Sequence, residues 1–285
     1  MDTQQTNHPE KPIGVFRRSV TFAKKSISLL VQDYRVMYIP LLFGIITSLF
    51  MAGFLLFYIF SNINNGKISS GTILFVWFMV VFFSTSARIA VTLSLRPRLL
   101  GSSISLKESF IKMMKKTDFI FGWSFVSSAV GMLLVAFPFD SYSLFTSMIL
   151  SVYWMFGTYF IIPSIVEEEI SLASAFSNSV EALKRSWKEI IVVNFAFRLI
   201  VVPVFLLFLY LIAVLFYSLP AAPLALEILI FIITVVILLL MVTLMVFSML
   251  FRTSLDLVLY TLNRKEEGGH IAEIILKKPR KTKLL

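Results

Sequence analysis

The chain has no cysteine and only two histidines, His8 and His270, both in polar terminal stretches. Disulfides and thiolate chemistry are thereby excluded, and zinc or iron sites built from His and Cys are not expected. Charge is scarce as well. Asp, Glu, Lys and Arg make up 15% of the 285 residues, while 58% are hydrophobic; a soluble domain would carry about a quarter charged. So much apolar surface with so few charges makes the bilayer part of the solvent. Phosphate loops, G-x-S-x-G elbows and H-E-x-x-H motifs are also missing. Neither catalysis nor a cofactor is expected.

What is there, in abundance, is long apolar runs. A membrane span needs about 20 mostly apolar residues. Six stretches qualify: 36–60, 72–93, 118–138, 143–166, 190–218 and 226–251. Polar or turn-forming breaks separate them, among them "SNINNGKISSG" (61–71), "FDSY" (139–142) and "PAAP" (220–223). The expected fold is all-α and polytopic, with six transmembrane helices in a membrane domain over 14–262. A polar tail (1–13) precedes it and a basic tail (263–285) follows. The first 35 residues hold no early apolar run or cleavage site, so the first span is expected to act as an uncleaved anchor.

Positive charge is distributed unevenly along this plan. Of 26 Lys and Arg, 23 fall in the N-terminus, in the connections after spans two and four, and in the segment from Arg252 onward. Lys67 stands alone on the opposite side, and Arg88 and Arg198 fall within apolar stretches. The positive-inside bias then predicts a multi-pass protein of the cell membrane with both termini cytoplasmic. A net charge of +10 invites a nucleic-acid reading. The basic residues hug span ends, however, where they meet anionic headgroups. Membrane lipids are the expected partners, nucleic acid is not, and a homo-oligomer or a protein partner is left open.

A charged helix interrupts the apolar sequence twice. "FRRSVTFAKKSI" (16–27) and "FSNSVEALKRSW" (176–187) both place apolar residues at offsets 0, +4, +7 and +11. These are Phe16, Val20, Ala23 and Ile27 in the first, and Phe176, Val180, Leu183 and Trp187 in the second. Such offsets trace one stripe down an α-helix. Ser19/Ser179, Ser26/Ser186 and the basic pairs Lys24–Lys25 and Lys184–Arg185 also correspond. A degenerate third copy runs through Phe110, Met114, Thr117 and Phe121, after an S-x-x-E capping box at Ser105 and Glu108; Ser171 is placed to cap the later copy. The chain thus reads as three units, each an interface helix followed by a two-span hairpin. An apolar stripe flanked by Lys and Arg belongs in the headgroup boundary.

The block "WMFGTYFIIPSIVEEEISLASAFSNSVEALKRSWKEIIVVNF" (154–195) resembles a family of uncharacterised six-span membrane proteins of bacteria and archaea. Their shared core looks like T-Y-F-x-x-P, an acidic residue, A-x-x-x-S and a basic helix ending in Trp. Thr158, Tyr159, Phe160, Pro163, Glu167, Ser179 and Trp187 stand in those places. The layout is also similar to the membrane domain attached to some glycerophosphodiester phosphodiesterases, without the hydrolase. The resemblance implies an architecture and no activity.

The remaining candidates are structural. Ser124/Ser128 and Ser127/Gly131 show small-xxx-small spacing, a close-packing signal. Pro40, Pro163 and Pro203 are expected to bend spans one, four and five. "VEEEI" (166–170) reads as an acidic lead-in complementing the dipole of the next helix. Arg88 and Arg198 are expected at the cytoplasmic boundary, snorkelling to headgroups or pairing one of them with Glu167 or Glu168. The spans offer few ionisable groups near mid-membrane. A scaffold that contacts lipid or a partner is therefore expected ahead of a small transporter or channel for a lipid or other apolar solute.

Overall fold

The computed structural model describes residues 12–63, 70–102, 104–136, 149–151, 156–167, 171–218 and 224–263, together with 146, 153 and 154. Helix is the only regular structure among them. The elements are α1 (Pro12–Gln32), a 3-10 turn (Tyr34–Met37), α2 (Tyr38–Ile63), α3 (Ser70–Leu99), α4 (Leu106–Met114), α5 (Thr117–Ala136), α6 (Ile161–Glu167), α7 (Leu172–Ser218) and α8 (Leu224–Asn263). Two helices organise the rest. α3 packs on α2, α4, α5, α6 and α8, and α8 packs on α1, α3 and α7.

Five stretches are helical, long and apolar enough to cross a membrane: Tyr34–Tyr58, Gly71–Leu99, Thr117–Leu134, Leu172–Leu211 and Leu240–Thr261. The expected span at 143–166 is not one continuous helix. Helical residues up to Gly157 give way to a turn at Thr158–Phe160 and then to the short α6, and residues 143–145 lie outside the described set. The last span also differs from expectation. α8 continues twelve residues past 251, to Asn263, so Arg252 and Asp256 belong to the same helix as the last span.

Burial changes along the helix axes. In α3, Val76 alone is buried between Gly71 and Ser84, whereas every residue from Thr85 to Leu95 except Arg88 is buried. In α8, every residue from Leu250 to Thr261 except Arg252 is buried. A helix covered on all sides lies inside a bundle. One end of the molecule is therefore a packed base, where α1, α3, α6, α7 and α8 meet. The other end leaves the apolar flanks of α2, α5 and α7 uncovered.

Local signals in the sequence set several boundaries. Ser105 Oγ accepts from Glu108 N at 3.1 Å and starts α4, and Ser171 Oγ accepts from Ser174 N at 3.2 Å and starts α7. Asp33 accepts from Arg35 N at 3.2 Å and also pairs with Arg98, tying the end of α1 to the end of α3. Pro40 and Pro163 stand in the first turns of α2 and α6, where no N–H partner is required, so they do not bend spans mid-way; Pro203 does lie inside α7. The third stripe copy is divided, because α4 ends at Met114 and α5 begins at Thr117. The second interface helix does not stand apart either: 176–187 is continuous with span five in one 47-residue helix. Close packing of α3 on α5 uses the small residues. Ser124 and Ser128 are buried, and a Cβ on Gly131 would stand 3.1 Å from Trp77 Nε1.

Candidate functional site: a charged cluster where the base meets the spans

Arg88 and Arg252 interrupt their buried segments for a shared reason: both line cavities between helices. Arg88 Nη2 donates to Asp256 Oδ2 at 3.0 Å, with the aspartate side chain almost fully enclosed. Arg252 lies one turn before Asp256 on α8, its guanidinium 5.6 Å from the Tyr159 ring centre. The Tyr159 hydroxyl interacts with Asp256 and accepts from Asn194 Nδ2 at 2.9 Å. Residues from α3, α7, α8 and the 158–160 turn thus converge on one carboxylate. Two guanidiniums face it, which leaves the described cluster one positive charge in excess.

The 158–160 turn is what delivers Tyr159. Its geometry is held by Phe160 N, which donates to Ser179 Oγ of α7 at 2.9 Å. Ser179 is wholly buried, so this bond satisfies a backbone donor that water cannot reach. Phe160 in turn packs against Tyr260 with ring centres 5.8 Å apart. Phe197 and Phe251 stack at 4.6 Å beside the cluster, clamping α7 to α8.

Two cavities share Ser84, Arg88 and Arg252 in their walls. One, about 250 Å³, lies among α3, α5 and the turn and includes Trp123, Ser127 and Tyr159. The other, about 400 Å³, runs between α7 and α8 and includes Val201, Phe205, Leu244 and Met245. Its lining is cationic at one end and apolar at the other.

A larger groove, about 860 Å³, lies elsewhere. Phe176, Val180, Leu183 and Trp187 form one wall of it, facing Leu133 of α5 and Trp154. Trp154 stacks between Trp123 and Phe176, with ring centres 5.6 and 6.4 Å away. A Cβ on Gly157 would come within 3.1 Å of the Phe176 ring, a contact tight enough that the ring would have to shift.

The residues singled out from sequence are placed as follows. Phe16, Val20, Phe176 and Trp187 are exposed, and Val180 and Leu183 are half-buried. Lys24 is exposed and Lys25 half-buried. In both repeated helices the serine pair is buried: Ser19 and Ser26 in α1, Ser179 and Ser186 in α7. Pro163 is buried in α6. Arg198 is exposed on α7, while Glu168 and the Glu167 side chain lie outside the described residues, as does most of the 166–170 acidic run. Arg88 has a partner that was not anticipated. Its partner is Asp256, which sequence reading missed because span six was ended at 251, five residues before Asp256 and twelve before the helix ends. The signal was available: Asp256 sits in "FRTSLDLVLY", an apolar run that continues the helix.

Residues 71–266, more than half of the chain, match a family of unknown function, DUF6159. No curated protein and no solved structure matches the chain. On that match, the chain belongs to the DUF6159 family.

Proposed function

We propose that this protein is a non-catalytic, multi-pass protein of the cell membrane, with both termini cytoplasmic, that scaffolds lipid and partner contacts at its cytoplasmic face. One observation carries the reading. The two repeated helices turn the same serine-bearing face inward, Ser19 and Ser26 in one, Ser179 and Ser186 in the other, and leave Phe16, Val20, Phe176 and Trp187 uncovered. Apolar residues left outside a bundle, beside Lys24 and Lys184, fit the boundary between acyl chains and headgroups. The repetition of helix and hairpin supports a design of three such units. The basic span ends supply attraction for anionic lipid.

The absence of cysteine makes a direct test clean. Single cysteines at Val20, Lys24, Trp187 and Lys188, spin-labelled in anionic nanodiscs, should divide by side. Labels at Val20 and Trp187 should be relaxed by lipid-soluble oxygen, and those at Lys24 and Lys188 by a water-soluble reagent. Water-type relaxation at Val20 and Trp187 would refute the interface reading. Movement of a lipid-like solute is the second reading, favoured by the charged cluster between helices, since ionisable groups among spans mark functional paths.

A further inference from the structure

We propose that the cavity shared by Arg88 and Arg252 binds a phosphate-type anion, the headgroup of a membrane lipid whose chain runs between α7 and α8. The proposal rests on the lipid-contacting reading above but uses different residues. Charge is the first argument. Arg88 donates to Asp256, and Arg252 faces the same carboxylate with the Tyr159 ring beneath it, so two guanidiniums share one counter-ion and the buried Arg252 Nε has no acceptor among the described residues. A guanidinium held among packed helices without its own counter-ion is costly unless an anion reaches it. Guanidinium groups are also the side chains best matched to phosphate oxygens, which they bind in bidentate fashion.

Shape is the second argument. The 400 Å³ cavity continues from Arg252 past Ser248 to Leu244 on α8, and past Val201 and Phe205 on α7. Residues 252, 248 and 244 are successive i−4 neighbours, so they form one stripe about 12 Å long at ~1.5 Å per residue. The stripe begins polar and ends apolar, as an amphiphile does. Location is the third. Arg88 and Arg252 lie where the packed base meets the uncovered apolar flanks, which under the lipid-contacting reading is the level at which headgroups give way to acyl chains. A lipid entering between α7 and α8 would put its phosphate at the guanidiniums and its chain against Phe205 and Met245. Both cavities include Ser84 in their walls, beside the two arginines.

The test uses the full chain in mild detergent with three probes: dioctanoyl phosphatidic acid, dioctanoyl phosphatidylcholine and inorganic phosphate, each followed by native mass spectrometry and thermal shift. Phosphatidic acid should bind at least ~10-fold more tightly than phosphatidylcholine, and Arg252→Gln should remove most of that preference. Arg252→Lys, which keeps the charge, should retain part of it and guards against a folding defect. Phe205→Trp, which fills the apolar end, should weaken phosphatidic acid and leave inorganic phosphate unchanged. Arg198→Gln, an exposed cation outside the cavity, should change nothing. Phosphate binding as tightly as phosphatidic acid, with no effect of Phe205→Trp, would confirm the anion and overturn the lipid source. Equal affinity for the two lipids, or full binding by Arg252→Gln, would overturn the site. Val180→Asp with Leu183→Asp disrupts the separate groove and should leave this affinity intact, so failure of the interface reading is distinguishable from failure here.

Discussion

Arg88 of α3 and Asp256 of α8 lie 168 positions apart in sequence and 3.0 Å apart in space. They join the two helices around which the others pack. Asp256 is enclosed and Arg88 half-buried, so the contribution is asymmetric: breaking the pair costs more than the pair supplies, because a charge inside the bundle loses its hydrogen-bonded partner. Arg88→Gln or Asp256→Asn should each destabilise the detergent-solubilised protein by about 3 kcal/mol. The exchange Arg88→Asp with Asp256→Arg should recover part of that loss. Thermal unfolding measures all three, and a silent Asp256→Asn would show that Asp256 is not enclosed.

Two buried serines should respond to alanine with opposite sign. Ser179 Oγ accepts the Phe160 N–H, so Ser179→Ala leaves a buried donor unsatisfied and should cost about 1–3 kcal/mol. Ser124 Oγ is buried against α3 with no partner among the described residues. Ser124→Ala removes an unsatisfied group at nearly constant volume and should be neutral or stabilising. Ser124→Leu should destabilise by about 1–3 kcal/mol through overpacking. Melting temperatures of the three variants decide the matter.

Loss of the close glycine contacts should be graded by what the new methyl meets. Gly157→Ala meets the Phe176 ring and Gly131→Ala meets the Trp77 indole, each at 3.1 Å, while nothing lies within 4 Å of a Cβ at Gly44 or Gly53. Alanine at Gly44 or Gly53 should be tolerated or stabilising, since alanine is the better helix former. The substitutions at 131 and 157 should lower stability, and tryptophan fluorescence should report the displaced indole in Gly131→Ala.

Reporter fusions after residues 66, 102, 140, 172, 221 and 270 test the number of crossings. Six crossings predict cytoplasmic signals at 102, 172 and 270 and the opposite at 66, 140 and 221. If the broken helix before α6 does not cross, 140 and 172 report the same side, and both 221 and 270 reverse.

The long apolar runs by themselves determined that the chain is helical, with stretches long and apolar enough to cross a membrane. Runs of about 20 apolar residues leave little choice when every backbone polar group must be satisfied within its own helix. The caps at Ser105 and Ser171 were legible for the same reason, since a cap is a contact over three residues. The recurring serines of 16–27 and 176–187 were visible too, but not that they mark the buried face. Which side of a helix is covered depends on its neighbours, and sequence spacing records only that the faces differ.

Tertiary structure decided the rest. From sequence, Arg88 and Asp256 are two charges in separate apolar runs, and hydropathy counts each as a cost. Only the packing of α3 against α8 converts them into partners and brings Tyr159 and Asn194 to the same place. The turn at 158–160 was hidden because its residues are as apolar as the helix they interrupt. What ends that helix is the bond from Phe160 N to Ser179, nineteen residues away. Local pattern carries local hydrogen bonds and the preference for lipid over water. Charge pairing, cavity and turn arise from contacts between distant segments, and those exist only once the helices have packed.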